Sequence, residues 1–153
     1  MSKASIQFLI DSGFRAEQFG AAEPFDAASP YLKRVLANAE EMVRVNVGNA
    51  AYDAVTDTSS VAWLRLRKAE EEAAKSELWS RRAAAFDASS SQAGDKANYQ
   101  ERQEYRRAAD AAAALSTAWI DAFLAGGDAP GDGAVVGLSI GTVTSGPWSQ
   151  GCA

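Results

Sequence analysis

VAWLRLRKAEEEAAKSELWSRRAAAFDA, residues 61–88, reads as one long helix. Alanine, leucine, glutamate, lysine and arginine are strong helix formers, and neither glycine nor proline interrupts the run. Ala62, Leu66, Ala69, Ala73, Ser76, Ser80 and Ala83 recur at helical spacing and make a face that is nearly all small. A small face lets a second helix come close. Trp63, Leu64, Leu78, Trp79 and Phe86 supply bulk towards the ends. Arg67 and Glu71, Lys68 and Glu72, Glu71 and Lys75, and Glu77 and Arg81 stand four residues apart, a spacing for ion pairs along a solvated side. On the same reading Glu70, Glu71 and Glu72 lie on a solvated face, because adjacent helical residues point in different directions and make no two-carboxylate site.

Downstream, Ser89 to Asp95 has the composition of a loop. A further long helix runs from about Lys96 to Ala125, with Tyr105, Ala109, Ala112, Ser116, Trp119 and Phe123 as its stripe. Gly126 and Gly127 end it. Two helices of similar length joined by a short loop predict an antiparallel hairpin about 40 Å long. Upstream, Ser29 as N-cap and Pro30 at the first position open a helix to about Ala51, with Leu32, Val35, Leu36, Ala39, Val43 and Val47 as its apolar stripe. Tyr52 and Val55 pack where the chain leaves it, Thr56 to Ser60 form a polar turn, and Ser59 or Ser60 caps the next helix. Ser5 to Ser12 forms a short helix stopped by Gly13. Phe8, Phe14, Phe19 and Phe25 punctuate the N-terminal segment and read as satellite core ahead of a partner-facing patch.

From Gly126 onward the chain changes character. It has no Lys or Arg and holds most of the chain's 12 glycines. Gly126, Gly127, Pro130 and Gly131 make a hinge. Beyond it Val136, Leu138, Ile140 and Thr142 share one face of a strand, with Gly137, Ser139 and Gly141 on the other. Val135, Val136, Leu138, Ile140, Val143 and Trp148 are the docking residues of this arm. Such a strand suits addition to a partner's sheet or burial in a groove between subunits, and the alternative is a hairpin folded back on its own body. The expected fold is therefore mainly α: a small helical bundle built on a long antiparallel helical hairpin, with an extended C-terminal arm containing a β-strand or hairpin. Residues 1–125 form the body, of which 1–28 are the N-terminal segment, and residues 126–153 form the docking arm.

The bulk composition narrows the function. A chain of 153 residues with 47% apolar and 23% charged residues fits one globular domain. Much of the apolar share is alanine, so the core is thin, and neighbouring subunits are expected to supply part of the stability. A net charge of −5 and a pI near 4.8 argue against affinity for nucleic acid. There is no histidine, which removes the usual general base, the Ser-His and Cys-His pairs and the commonest metal ligand. Cys152, the single cysteine, reads as a free thiol. Neither a phosphate-binding glycine pattern nor a nucleophile elbow occurs, so no enzyme chemistry, cofactor or metal is expected. No secretory signal and no membrane span are read, and a soluble protein made in a cytoplasm is expected. Arg65, Arg67, Lys68, Arg81, Arg82, Arg102, Arg106 and Arg107 are interleaved with acids and read as an ion-pair surface within or between subunits. Arg67, Glu71, Arg82, Arg102 and Arg106 are the candidates for subunit contact.

Three segments carry a resemblance: Leu36-x-x-Ala39-Glu40-Glu41-x-Val43 with Val47-Gly48 and Tyr52; Ala69-Glu70-Glu71 with Glu77-Leu78-Trp79-x-x-Arg82; and Tyr99-x-x-Arg102-x-x-Tyr105-Arg106-x-Ala108-Ala109. Over about Phe25 to Leu124 the chain resembles the head–tail connector (adaptor) proteins of long-tailed bacteriophages. The resemblance implies a virion structural protein, made in the host cytoplasm and placed at the head–tail interface. It implies a homo-oligomer, a twelve-fold ring beneath the portal protein. The ring would be joined to the tail through a stopper or tail-terminator protein, with DNA passing through unbound. Its members grip the portal with terminal extensions, the part the arm would play here. Other readings of the residues are a non-virion helical interaction module, such as an assembly chaperone or regulator, and a single-stranded-DNA-binding replication protein.

Overall fold

The computed structural model describes residues 2–21, 23–90 and 96–126. These are mainly helical, and no strand occurs among the described residues. A short helix, α1 (Ile6–Asp11), is followed by a 3₁₀ turn over Ala16–Phe19, then α2 (Pro30–Val47), α3 (Asn49–Ala54), α4 (Val61–Ser90) and α5 (Lys96–Ala125). The expected arm with its strand lies outside the described residues.

Capping explains most of the boundaries. The Ser5 hydroxyl accepts from the Phe8 N–H to open α1, and Gly13 follows its end. Ser29 Oγ accepts from Leu32 N–H and Pro30 takes the first position of α2. Ser60 Oγ accepts from Trp63 N–H at 3.1 Å to start α4. Gly126 closes α5 with its N–H on the Phe123 carbonyl.

One boundary differs from expectation. The helix read through Ala51 breaks at Gly48, whose φ of 87° and ψ of 136° suit glycine alone. Its N–H still reaches the Arg44 carbonyl and its own carbonyl accepts from Tyr52 N–H, so α3 restarts in a new direction and turns Tyr52 into the core. A Cβ at Gly48 would meet nothing within 4 Å, so Gly48→Ala probes backbone strain alone. That variant is expected to lose about 1–3 kcal/mol in chemical denaturation; an unchanged midpoint would remove the kink from the account.

The α4 and α5 helices form the antiparallel hairpin. Leu66 and Ile120 share one core cluster, Ser116 Oγ donates to the Ala69 carbonyl at 2.8 Å, and Trp79 stacks on Tyr105 with centroids 5.5 Å apart. Positions rise along α4 as they fall along α5, which defines the register. Two apolar clusters then tie the other elements to α4. Leu9, Phe14, Leu32, Val35, Leu36 and Ala39 pack with Ala73, Ala74 and Leu78, flanked by Phe8, Phe19 and Phe25. Val43, Val47 and Tyr52 pack with Leu66, Ala69 and Ile120. The phenylalanines of the N-terminal segment thus belong to the core, and the α2 stripe is divided between two clusters. Helix α4 is covered by α5, by α2 and by the N-terminal segment, so it is buried on all sides through its middle: Arg65, Leu66 and every residue from Ala69 to Ala74 are buried.

Candidate functional site

The triple glutamate of α4 sits in that covered stretch. Glu70 and Glu71 are fully buried and Glu72 nearly so. The solvated-face expectation is corrected: an N-terminal strap, far away in sequence, lies over this side of α4 and supplies the donors that a buried carboxylate requires. One Glu70 oxygen accepts from Ser2 Oγ at 2.7 Å, Lys3 N–H at 2.7 Å and Ala4 N–H at 2.9 Å. The other accepts from the Tyr52 hydroxyl. Glu71 lies under Arg67 and Lys68, its oxygens 2.7 Å from Arg67 Nε and 2.9 Å from Lys68 Nζ. Glu72 pairs with Lys75 at 2.7 Å. Lys68 and Lys75 therefore choose partners three residues away in place of the four-residue pairs expected, while the Arg67–Glu71 and Glu77–Arg81 pairs form as read.

Around Glu70 the strap is fastened a second way. Lys3 Nζ donates to the Val55 carbonyl at 2.9 Å and lies 4.3 Å from the Tyr52 ring centroid. The Arg44 guanidinium lies 4.1 Å from the same ring and pairs with Glu40 at 2.9 Å and Asp53 at 2.8 Å. Both are cation–π contacts on a buried phenol. Burial pushes the Tyr52 phenol far above its ordinary range, and its hydrogen bond to the charged Glu70 adds to the shift. Ser2, Lys3, Arg44, Tyr52, Asp53 and Trp63 line a cleft of about 400 Å³ beside this contact. Each Glu70 oxygen already holds donors and the Tyr52 proton is committed to one of them. Chemically the arrangement fastens residues 2–4 to α4.

A line of aromatics crosses the bundle on another side. Phe25 and Tyr31 lie 5.4 Å apart, Tyr31 and Phe19 5.7 Å, Phe19 and Phe14 6.1 Å, and Phe14 and Trp79 4.8 Å, before Trp79 meets Tyr105. The Arg82 guanidinium lies 4.2 Å from the Tyr105 ring and 5.7 Å from that of Trp79, which makes it a clamp on the α4–α5 contact. Burial, followed by the hydrogen bond to Glu101, pushes the Tyr105 phenol up to about 12, against the opposing charge of Arg82. Stability from the neutral Tyr105 is complete below the ordinary value of 10.0 and is lost as pH rises towards about 12. Tyr52 acts in the same direction. Thermal midpoints are expected to fall across that window, and Tyr105→Phe to remove part of the fall; a flat profile to pH 12 would contradict it.

The candidate residues separate. Arg67 and Arg82 are half-exposed and engaged with Glu71 and with the Trp79–Tyr105 stack, and Arg102 lies 5.0 Å from the Tyr99 ring. Arg106 is exposed on α5. Glu71, expected as a surface contact, is buried within the protomer. Arg65, expected on the ion-pair surface, is 6% exposed, because it falls on the side of α4 turned to α5 with Ala69 and Ser76. Its Nε has no hydrogen-bond partner among the described residues. Of the hinge, Gly126 ends α5, while Gly127, Pro130 and Gly131 lie outside the described residues, as do Val135, Val136, Leu138, Ile140, Val143, Trp148 and Cys152. Sequence reading missed Glu70 and Tyr52 as a pair, because the strap amides that complete the site lie 66 and 67 residues away and carry no side-chain signal. Among the described residues no group of His, Cys, Asp or Glu is placed to hold a metal ion. By length and composition alone α5, over Tyr99–Ala125, is apolar enough to cross a membrane, because alanine repeats along it; the core helix of a soluble protein meets the same measure.

No protein-family model matches the chain, and neither the curated proteins nor the solved structures with which it was compared include a match.

Proposed function

We propose that the chain is a ring-forming head–tail connector, a structural adaptor between the portal and the tail of a long-tailed bacteriophage. What supports the reading is that the three segments carrying the resemblance meet one another. Tyr52 of the first donates to Glu70 of the second, and Trp79 and Arg82 of the second stack on Tyr105 of the third. The residues carrying the resemblance thus lie in one packing unit of the bundle. The acidic charge suits a wall past which DNA slides without sticking. In this reading the body builds the ring, and the arm after Gly126 docks into the portal or a neighbouring subunit.

Mass spectrometry of purified particles tests the proposal. The chain is expected in tailed particles at ring stoichiometry. Its presence in the lysate and absence from particles would replace the reading with a non-virion interaction module.

A further inference from the structure

Helix α5 is buried along one side only. Tyr105, Ala109, Ala112, Ser116 and Ile120 face the bundle, and 22% of the helix's most apolar stretch is buried. Half a turn away Arg107, Ala111, Ala114 and Asp121 are exposed and Ala118 is half-buried. The charges on α4 from Arg67 to Glu72 and at Lys75, Glu77 and Arg81 are engaged within the protomer. Arg107, Asp110 and Asp121, by contrast, make no ion pair among the described residues. Arg107 and Asp121 stand at equal distances on either side of Ala114, about two turns each way, on one line of the helix.

We propose that this face of α5 packs against the same face of a second copy of the chain, antiparallel, with the two-fold axis at Ala114. In that alignment Arg107 of each copy meets Asp121 of the other, and Ala111, Ala114 and Ala118 allow close approach of the helices. A parallel alignment sets Arg107 against Arg107 and Asp121 against Asp121, so the charges select the antiparallel pair. Arg107 and Asp110, both exposed near the middle of α5, make a lipid bilayer a poor occupant despite the apolar character of the helix. The pair is closed by its two-fold symmetry and describes the free chain, so it does not rest on the ring reading.

Sedimentation equilibrium of the full chain at low salt reads the association. The wild type is expected to dimerise. R107D and D121R are each expected to weaken the dimer about tenfold or more, since each places two like-charged pairs across the axis. Combining R107D with D121R restores opposite charges across the axis and is expected to return the dimer to near wild-type strength. Within one chain the two positions are about 21 Å apart along the helix, so rescue has no intramolecular explanation. Both positions are exposed, and circular dichroism verifies that each variant keeps its helix. A monomeric wild type, including one that floats with lipid vesicles, would overturn the proposal. So would single variants that associate like the wild type, a double variant no better than the singles, or a ring whose size neither single variant changes.

Discussion

Glu70→Ala is expected to cost about 3–5 kcal/mol in chemical denaturation and to free the N-terminal strap. The substitution removes the acceptor for Ser2 Oγ, the Lys3 and Ala4 amides and the Tyr52 hydroxyl together. Tyr52 is 1% exposed and cannot turn to water without opening the core, so its hydroxyl stays unsatisfied. Glu70→Gln keeps one carbonyl oxygen and is expected to cost less, about 2 kcal/mol. Hydrogen exchange gives the spatial readout: the Lys3 and Ala4 amides should lose protection in Glu70→Ala while the Ser116–Ala69 contact keeps the middle of the hairpin protected. Protected amides and an unchanged midpoint would mean that the strap is held by something other than this carboxylate.

Leu66→Ala is the second large effect. Leu66 is fully buried where α2, α3, α4 and α5 meet, in the cluster of Val43, Val47, Tyr52, Ala69 and Ile120. The neighbours are anchored on four different helices, so the cavity left by the lost side chain has little chance to collapse. The expected loss is about 3–5 kcal/mol, against a total of about 5–15 kcal/mol for a domain of this kind. Much of the population should then unfold at modest denaturant concentration. A loss below about 1 kcal/mol would show that the clusters do not converge at Leu66.

Local chemistry made much of the fold legible. Ser29-Pro30, Ser60 and the glycine after α5 carry their capping roles in side chains next to the boundaries they set. The long helices announced themselves by the absence of breakers and by a small-residue stripe, and Ala69 with Ser116 became the close contact that such a stripe allows. The break at Gly48 was less visible, since glycine is tolerated inside a helix and only the demand to bring Tyr52 inward decides its conformation. Glu70 was hidden for a different reason. Three consecutive acids in an alanine-rich helix look solvated, and what holds Glu70 is a strap placed by the tertiary fold, largely through backbone amides that carry no side-chain signature. Arg65 misled in the same way: its charge suggests the surface, while its position on α4 turns it towards α5. Local rules reached as far as helix ends and faces, and stopped where residues from opposite ends of the body met.

The Tyr52–Glu70 contact and the Trp79–Arg82–Tyr105 stack join the segments on which the connector reading stands. Electron microscopy of the full chain mixed with purified portal rings tests that reading most directly. The account predicts an added ring of this chain on the tail-facing side of the portal. Bare portal rings, with the chain left free in solution at concentrations where it is folded, would contradict it.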